Sequence, residues 1–135
     1  MRIYCCECED NVEAKLVTGK VIYEHRPDLY KLPFWQCPTC LNFVGCHHKT
    51  DNPTTPLGCI PTKEIKRLRK QIHSILDPMW KFTGIPRKEL YRHLSDKLGW
   101  EYHTANIRTV EEAHTILEIL KSLGNKTRTQ RNVHT

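Results

Sequence analysis

The sequence reads as an α+β chain, a small β lobe followed by three helices. Three features of its 135 residues predict this. Apolar residues come first in short runs broken by Gly, Pro, Asn and Asp, then switch to a helical period near Thr62. Two Cys-x-x-Cys pairs, Cys5/Cys8 and Cys37/Cys40, fall among the short runs. The hydrophobic content of 39% builds only a modest core, so a chain of this length split into two lobes needs a staple. The expected boundaries are a zinc-ribbon-like β lobe over 1–60, a three-helix lobe packed on it over 61–124, and a mobile basic tail over 125–135.

Within the first lobe, Ala14, Leu16, Val21 and Tyr23 flank Thr18-Gly19-Lys20. This pattern predicts two short strands turning at Gly19. Phe34-Trp35-Gln36 leads as a strand into the second cysteine pair, and Leu41 to Val44 leaves it as another. Residues 49–61 carry three prolines and one glycine and read as an ordered connection.

The first long helix follows Pro61. Ile65, Leu68, Ile72, Ile75 and Leu76 recur at helical spacing, and Asp77-Pro78 is its expected stop. Leu90, Leu94 and Leu98 mark a second helix from near Pro86 to before Gly99. Thr109 and Glu112 form a capping box for a third, which buries Ala113, Ile116, Leu117 and Leu120 and is expected to end before Gly124.

Seven cysteines are many for this length, and the number is odd. The N-terminus lacks the apolar stretch of an export signal, and no run of eighteen apolar residues exists, so the expectation is a cytoplasmic chain with no membrane partner. In a reducing compartment, paired cysteines at this spacing are metal ligands rather than disulfides. Zinc takes four soft ligands in a tetrahedron, and each Cys-x-x-Cys turn supplies two. The expected cofactor is therefore one Zn2+ held by Cys5, Cys8, Cys37 and Cys40. Four thiolates leave no open position, so such a metal serves folding and not hydrolysis. Cys6 has the wrong spacing to Cys8. Cys46, His47 and His48 follow the second pair closely; one of them could join the site, but a small buried cysteine beside two ordinary histidines explains them more simply. Cys59 reads as a core residue.

The order of motifs is more specific than the cysteine pairs alone. Tyr23-Glu-His-Arg-Pro-Asp-Leu29 precedes Phe34-Trp-Gln-Cys-Pro-Thr-Cys40. Phe43-Val-Gly-Cys-His47, Pro56-Leu-Gly58 and Leu76-Asp-Pro-Met-Trp80 follow. Over residues 4 to 120 the chain resembles the zinc-finger-containing domain of unknown function found in bacteriophage and prophage proteins. The resemblance implies that Cys5, Cys8, Cys37 and Cys40 ligate zinc, and that the protein is phage-encoded and acts in a bacterial cytoplasm. Glu89-Leu-Tyr-Arg-His-Leu94 and Tyr102-His103 depart from the family's pattern, and the resemblance transfers no reaction.

The formal net charge is +6, which favours an acidic partner, nucleic acid first. A zinc bound by four thiolates lowers that charge by about 2. On the first long helix, Lys63, Lys66, Arg67 and Lys70 fall opposite the apolar stripe. With Arg128 and Arg131 of the tail, they are the candidate contacts to DNA or RNA phosphates. The bland alternative is a solvated helix face. Tyr23, Tyr30, Trp35 and Trp80 are candidate stacking residues, with Trp35 and Trp80 better read as core. Two further function classes remain open. One is a protein–protein effector that blocks a host bacterial protein. The other is an enzyme using His25, Asp28, His47, His73 and Asp77, of which His73 and Asp77 share a helix face.

Overall fold

A computed structural model describes the backbone of residues 1–133 and the side chains of residues 1–123. The chain divides into two compact units, Met1–Lys66 and Arg67–Thr135.

The first unit contains two small antiparallel sheets. Strand β1 (Arg2–Cys5) pairs with β2 (Asp10–Glu13), with Ile3 opposite Val12 and Cys5 opposite Asp10. Strands β3 (Lys15–Thr18), β4 (Pro33–Gln36) and β5 (Phe43–Gly45) form the second sheet in that spatial order. The two-residue side-chain period of β1 turns Ile3 and Cys5 inward, where they meet Ala14, Cys37, Val44 and Ile60 in a buried cluster. Trp35 packs against that cluster and donates its indole N–H to the Thr54 carbonyl, 2.7 Å away.

The hairpin expected at Gly19 is not formed. After β3 the chain makes one helical turn, α1 (Gly19–Ile22), then a 3-10 turn over Pro27–Leu29, and returns as β4. β3 pairs with β4, Leu16 opposite Trp35, and Val21 lies exposed on α1. The reason lies in a close approach. The Gly19 N–H donates to the Leu32 carbonyl at 2.9 Å, and a Cβ at position 19 would sit 1.7 Å from the Leu29 carbonyl oxygen. Glycine at 19 thus admits a returning backbone rather than making a two-residue turn.

Three long helices follow, as the period predicts. Helix α2 (Lys63–Phe82) is capped by Thr62, whose hydroxyl accepts the Ile65 N–H at 3.0 Å. It runs through Pro78 instead of stopping there. Proline removes one main-chain donor. Against that loss, Leu76 is buried, Met79 and Trp80 are half-buried, and the Trp80 indole donates to Asp77 at 3.2 Å. Helix α3 (Arg87–Leu98) ends at Gly99, whose φ of 85° is the left-handed cap that glycine adopts without strain. The hydroxyl of Thr109 accepts the Glu112 N–H at 3.1 Å and opens α4 (Val110–Val133). This helix continues past Gly124, beyond the expected end. Lys126, Arg128, Gln130 and Arg131 are good helix formers with no proline among them, and one glycine costs a helix only about 1 kcal/mol. Among the described residues, no helix is long and apolar enough to cross a membrane.

The helical stripes are buried as their spacing predicts: Leu68, Ile72 and Leu76 on α2, Leu90 and Leu94 on α3, and Ala113, Ile116, Leu117 and Leu120 on α4. Ile72 is fully enclosed at 0% exposure. Ile72→Ala is expected to lower stability by about 2–4 kcal/mol, read from the urea midpoint. An unchanged midpoint would mean that this face is open in solution.

Candidate metal centre

Each Cys-x-x-Cys pair forms the turn of a hairpin. Cys5 to Cys8 closes β1–β2, and Cys37 to Cys40 closes β4–β5. The sequence predicts a hairpin between the pairs; the observed hairpins carry the pairs at their tips. Both turns use the same backbone device. The residue after the second cysteine has a positive φ, 54° at Glu9 and 67° at Leu41. Neither is glycine, so each turn holds a conformation that costs about 1–2 kcal/mol per residue. Leu41 is 62% exposed, so its own packing does not explain the strain. In the second turn the Leu41 N–H donates to the Cys37 carbonyl at 3.0 Å, and the Cys37 N–H donates to the Asn42 carbonyl at 2.8 Å.

The result is a convergence of four thiols. The sulfurs of Cys5, Cys8, Cys37 and Cys40 all lie within 4.8 Å of one another. Cys5 and Cys40 sulfurs are 3.5 Å apart, and those of Cys8 and Cys37 3.7 Å apart. A disulfide needs about 2.05 Å. Sulfurs bound at about 2.3 Å to one tetrahedral metal sit about 3.8 Å apart. The spacing therefore fits four ligands of one ion. Cys5 and Cys37 are fully buried, while Cys8 and Cys40 are half-buried.

Without a metal the thiols divide the charge unevenly. Hydrogen bonding to Cys37 and burial push Cys8 up to about 12. Burial pushes Cys40 up to about 11. Burial also acts upward on Cys37, but the N–H groups of Cys40 and Thr39 and the neighbouring thiols bring it down to about 7. Of these three thiols, Cys37 is the best placed to hold negative charge near neutrality.

The remaining cysteines stand outside this group. Cys46 is buried and its thiol is raised by burial, which fits a small core residue. Cys6 and Cys59 are buried with sulfurs 3.7 Å apart. His47 and His48 are exposed. The Cys6 N–H donates to the Ile60 carbonyl at 2.9 Å, and the Ile60 N–H to the Tyr4 carbonyl at 2.8 Å, so residue 60 ties down the strand that delivers Cys5.

The candidate cations of α2 have different surroundings. Lys63, Arg67 and Lys70 are exposed. Lys66 leaves the stripe. Its ammonium donates to the Tyr23 hydroxyl at 3.0 Å and lies 4.1 Å from the centre of the Phe43 ring. Tyr23, Phe34 and Phe43 meet edge to face at 5.6 to 5.8 Å, so Lys66 covers a built aromatic cluster. The side chains of Arg128 and Arg131 lie outside the described residues. Of the five residues of the enzyme reading, His25, Asp28 and His47 belong to the first unit and His73 and Asp77 to the second. Asp28 is held by Arg26 at 2.8 and 2.9 Å, and that bond keeps its carboxyl below the usual range. His73 and Asp77 approach to 3.7 Å on the face of α2, both about 40% exposed.

Two cysteine turns at the tips of paired hairpins, with four thiols at metal-ligand spacing, define a metal-binding β lobe of the zinc-finger class. The chain belongs to the zinc-finger-containing domain family, whose model matches residues 1–123. Comparisons with curated proteins and with solved structures return no match.

Proposed function

We propose that this chain is a phage-encoded zinc-finger protein that binds nucleic acid in a bacterial cytoplasm, mainly through phosphates. Zinc held by Cys5, Cys8, Cys37 and Cys40 fixes the β lobe, since four thiolates leave no position for a reacting water. The phage and cytoplasmic parts rest on the motif resemblance. The binding part rests on one observation: Lys63, Arg67 and Lys70 are exposed along one helix of a chain of net charge +6. They span roughly 10 Å of helix axis, within which a nucleic acid presents several phosphates. Lys66, committed to the aromatic cluster, adds positive potential to this face.

Three phosphate contacts predict a log–log salt slope of about −2.7, a loss of about 40-fold in affinity between roughly 50 and 200 mM salt. Lys63→Glu/Lys70→Glu should keep its fold, because both side chains are exposed. It should lose more than about tenfold in affinity for duplex and single strand alike. Anisotropy of a labelled oligonucleotide reads both quantities. Salt-insensitive binding, or a double variant that binds like its parent, removes this reading and moves a host-protein partner into first place. A pull-down from lysate with and without nuclease then identifies that partner.

A further inference from the structure

The second unit carries an open trough of about 950 Å³ that the α2 stripe does not touch. One wall is α3, which presents two rows at helical spacing: Arg87, Tyr91 and Ser95, and Lys88, Arg92 and Asp96. The other wall is the segment from Gly99 to His103. Charge is distributed along it. Arg87, Lys88 and Arg92 gather toward the start of α3. Asp96 and Glu101 belong to its end and the segment beyond, where Glu101 is engaged by His103 at 3.1 Å.

The aromatic residues are positioned rather than incidental. Tyr102 is buried at 2% exposure, and its hydroxyl meets that of Thr104 at 2.6 Å. Tyr91 packs edge to face on Tyr102, with ring centres 5.3 Å apart. Arg87 lies over the Tyr91 ring at 5.0 Å and donates to its hydroxyl at 3.0 Å, which leaves most of its donors for a ligand. Trp100, which lines the same trough, is 53% exposed. An indole on the wall of a trough, with three cations at one end, matches the chemistry of an unpaired base and its phosphate. Bases stack on aromatic faces, and cations hold the backbone.

We infer that this trough takes single-stranded nucleic acid, with a base against Trp100 and the adjoining phosphates at Arg87, Lys88 and Arg92. The carboxylates of Asp96 and Glu101 repel phosphate at the other end, which leaves the backbone to the end lined by Arg87, Lys88 and Arg92. The trough is open to solvent, which suits a strand laid against it more than an enclosed small ligand. A duplex keeps its bases stacked inside and offers Trp100 nothing to stack on.

The inference extends the nucleic-acid reading but uses different residues, so the two fail separately. The test is binding of a labelled mixed-sequence single strand, a matched duplex and free adenosine monophosphate to the full zinc-loaded chain. Wild-type protein should prefer the single strand. Trp100→Ala should weaken the single strand about tenfold and the duplex hardly at all, since one stacked base contributes a factor of that order. Arg92→Glu should have the same selectivity. Quenching of tryptophan emission by the strand should shrink in Trp100→Ala although Trp35 and Trp80 remain. Far-UV circular dichroism checks that the variants fold. Equal single-strand binding by Trp100→Ala and wild type overturns the inference, even if the α2 variant is impaired. Adenosine monophosphate binding as tightly as the strand overturns it too, and makes the trough a nucleotide site.

Discussion

Cys37→Ser is expected to lose stoichiometric zinc and to unfold the first unit. No site for the ion exists in the unfolded chain, so metal affinity is folding free energy; apparent values for structural zinc reach about 10–16 kcal/mol. The core of this unit offers little to replace it. Of the six buried residues clustered with Ile60 behind the two turns, Cys5 and Cys37 are themselves ligands. The two turns hold Glu9 and Leu41 at positive φ, a conformation that the ion has to sustain. Elemental analysis should find one zinc in the wild type and none in the variant, and Trp35, packed on that core, should shift its emission to the red. Cys46→Ser, outside the cluster, should keep its metal. Protons make a second reading. In the metal-free cluster Cys8 near 12 and Cys40 near 11 are protonated at neutral pH, while Cys37 near 7 is partly ionised. Zinc binds thiolates, so loading must expel protons, and acid must reverse it. Calorimetry in buffers of different ionisation enthalpy should show release of at least two protons per zinc. Stability should fall as the pH falls toward the point where protons displace the ion. Folded, metal-free protein would end the structural-zinc reading.

The long helices and the cysteine quartet were legible because each has a local signature. Ile65 to Leu76 repeat at one period, Gly99 and Thr109 have their expected capping roles, and Cys-x-x-Cys is a turn wherever it folds. What sequence missed depends on contacts between distant residues. Nothing near Gly19 announces that Leu29 will lie against it. Lys66 has the spacing of a surface cation, and only the arrival of Tyr23 and Phe43 beside it makes it an aromatic-cluster residue. Pro78 is a breaker by propensity, overridden by the burial of Leu76 before it and the half-buried Met79 and Trp80 after it. The trough of α3 escaped for a different reason. Arg87 and Lys88 are followed at once by Glu89, and Leu90 and Tyr91 separate them further from Arg92, so no charge run marks them, and the exposed Trp100 follows a helix cap. A tryptophan just outside a helix, where no apolar stripe claims it, was the available signal.

Gly19→Ala is expected to be among the most damaging single-methyl changes in this chain, at about 3 kcal/mol or more. The added carbon would meet the Leu29 carbonyl oxygen at 1.7 Å and its carbon at 2.5 Å. Both are backbone atoms, so no rotamer change relieves the contact; the whole return from α1 to β4 has to shift. That return is held by the Gly19 N–H to Leu32 bond at 2.9 Å, and the Tyr23 N–H reaches back to the Gly19 carbonyl at 2.7 Å. Moving either strand of this crossing displaces Tyr23 from Phe34 and Phe43 and removes the hydroxyl that Lys66 donates to. Gly99→Ala supplies the control. Position 99 has a φ of 85° and nothing within 4 Å of an added Cβ, so its cost is the left-handed backbone alone, about 1–2 kcal/mol. Chemical denaturation of the zinc-loaded chain, followed through Trp35, should show Gly19→Ala losing more stability than Gly99→Ala loses when followed by helical dichroism. Zinc content should stay at one per chain wherever Gly19→Ala remains folded, because no ligand lies on that crossing. A Gly19→Ala protein no less stable than the parent would mean that Leu29 does not lie against residue 19 in solution. The expected hairpin turn at Gly19 would then regain its standing.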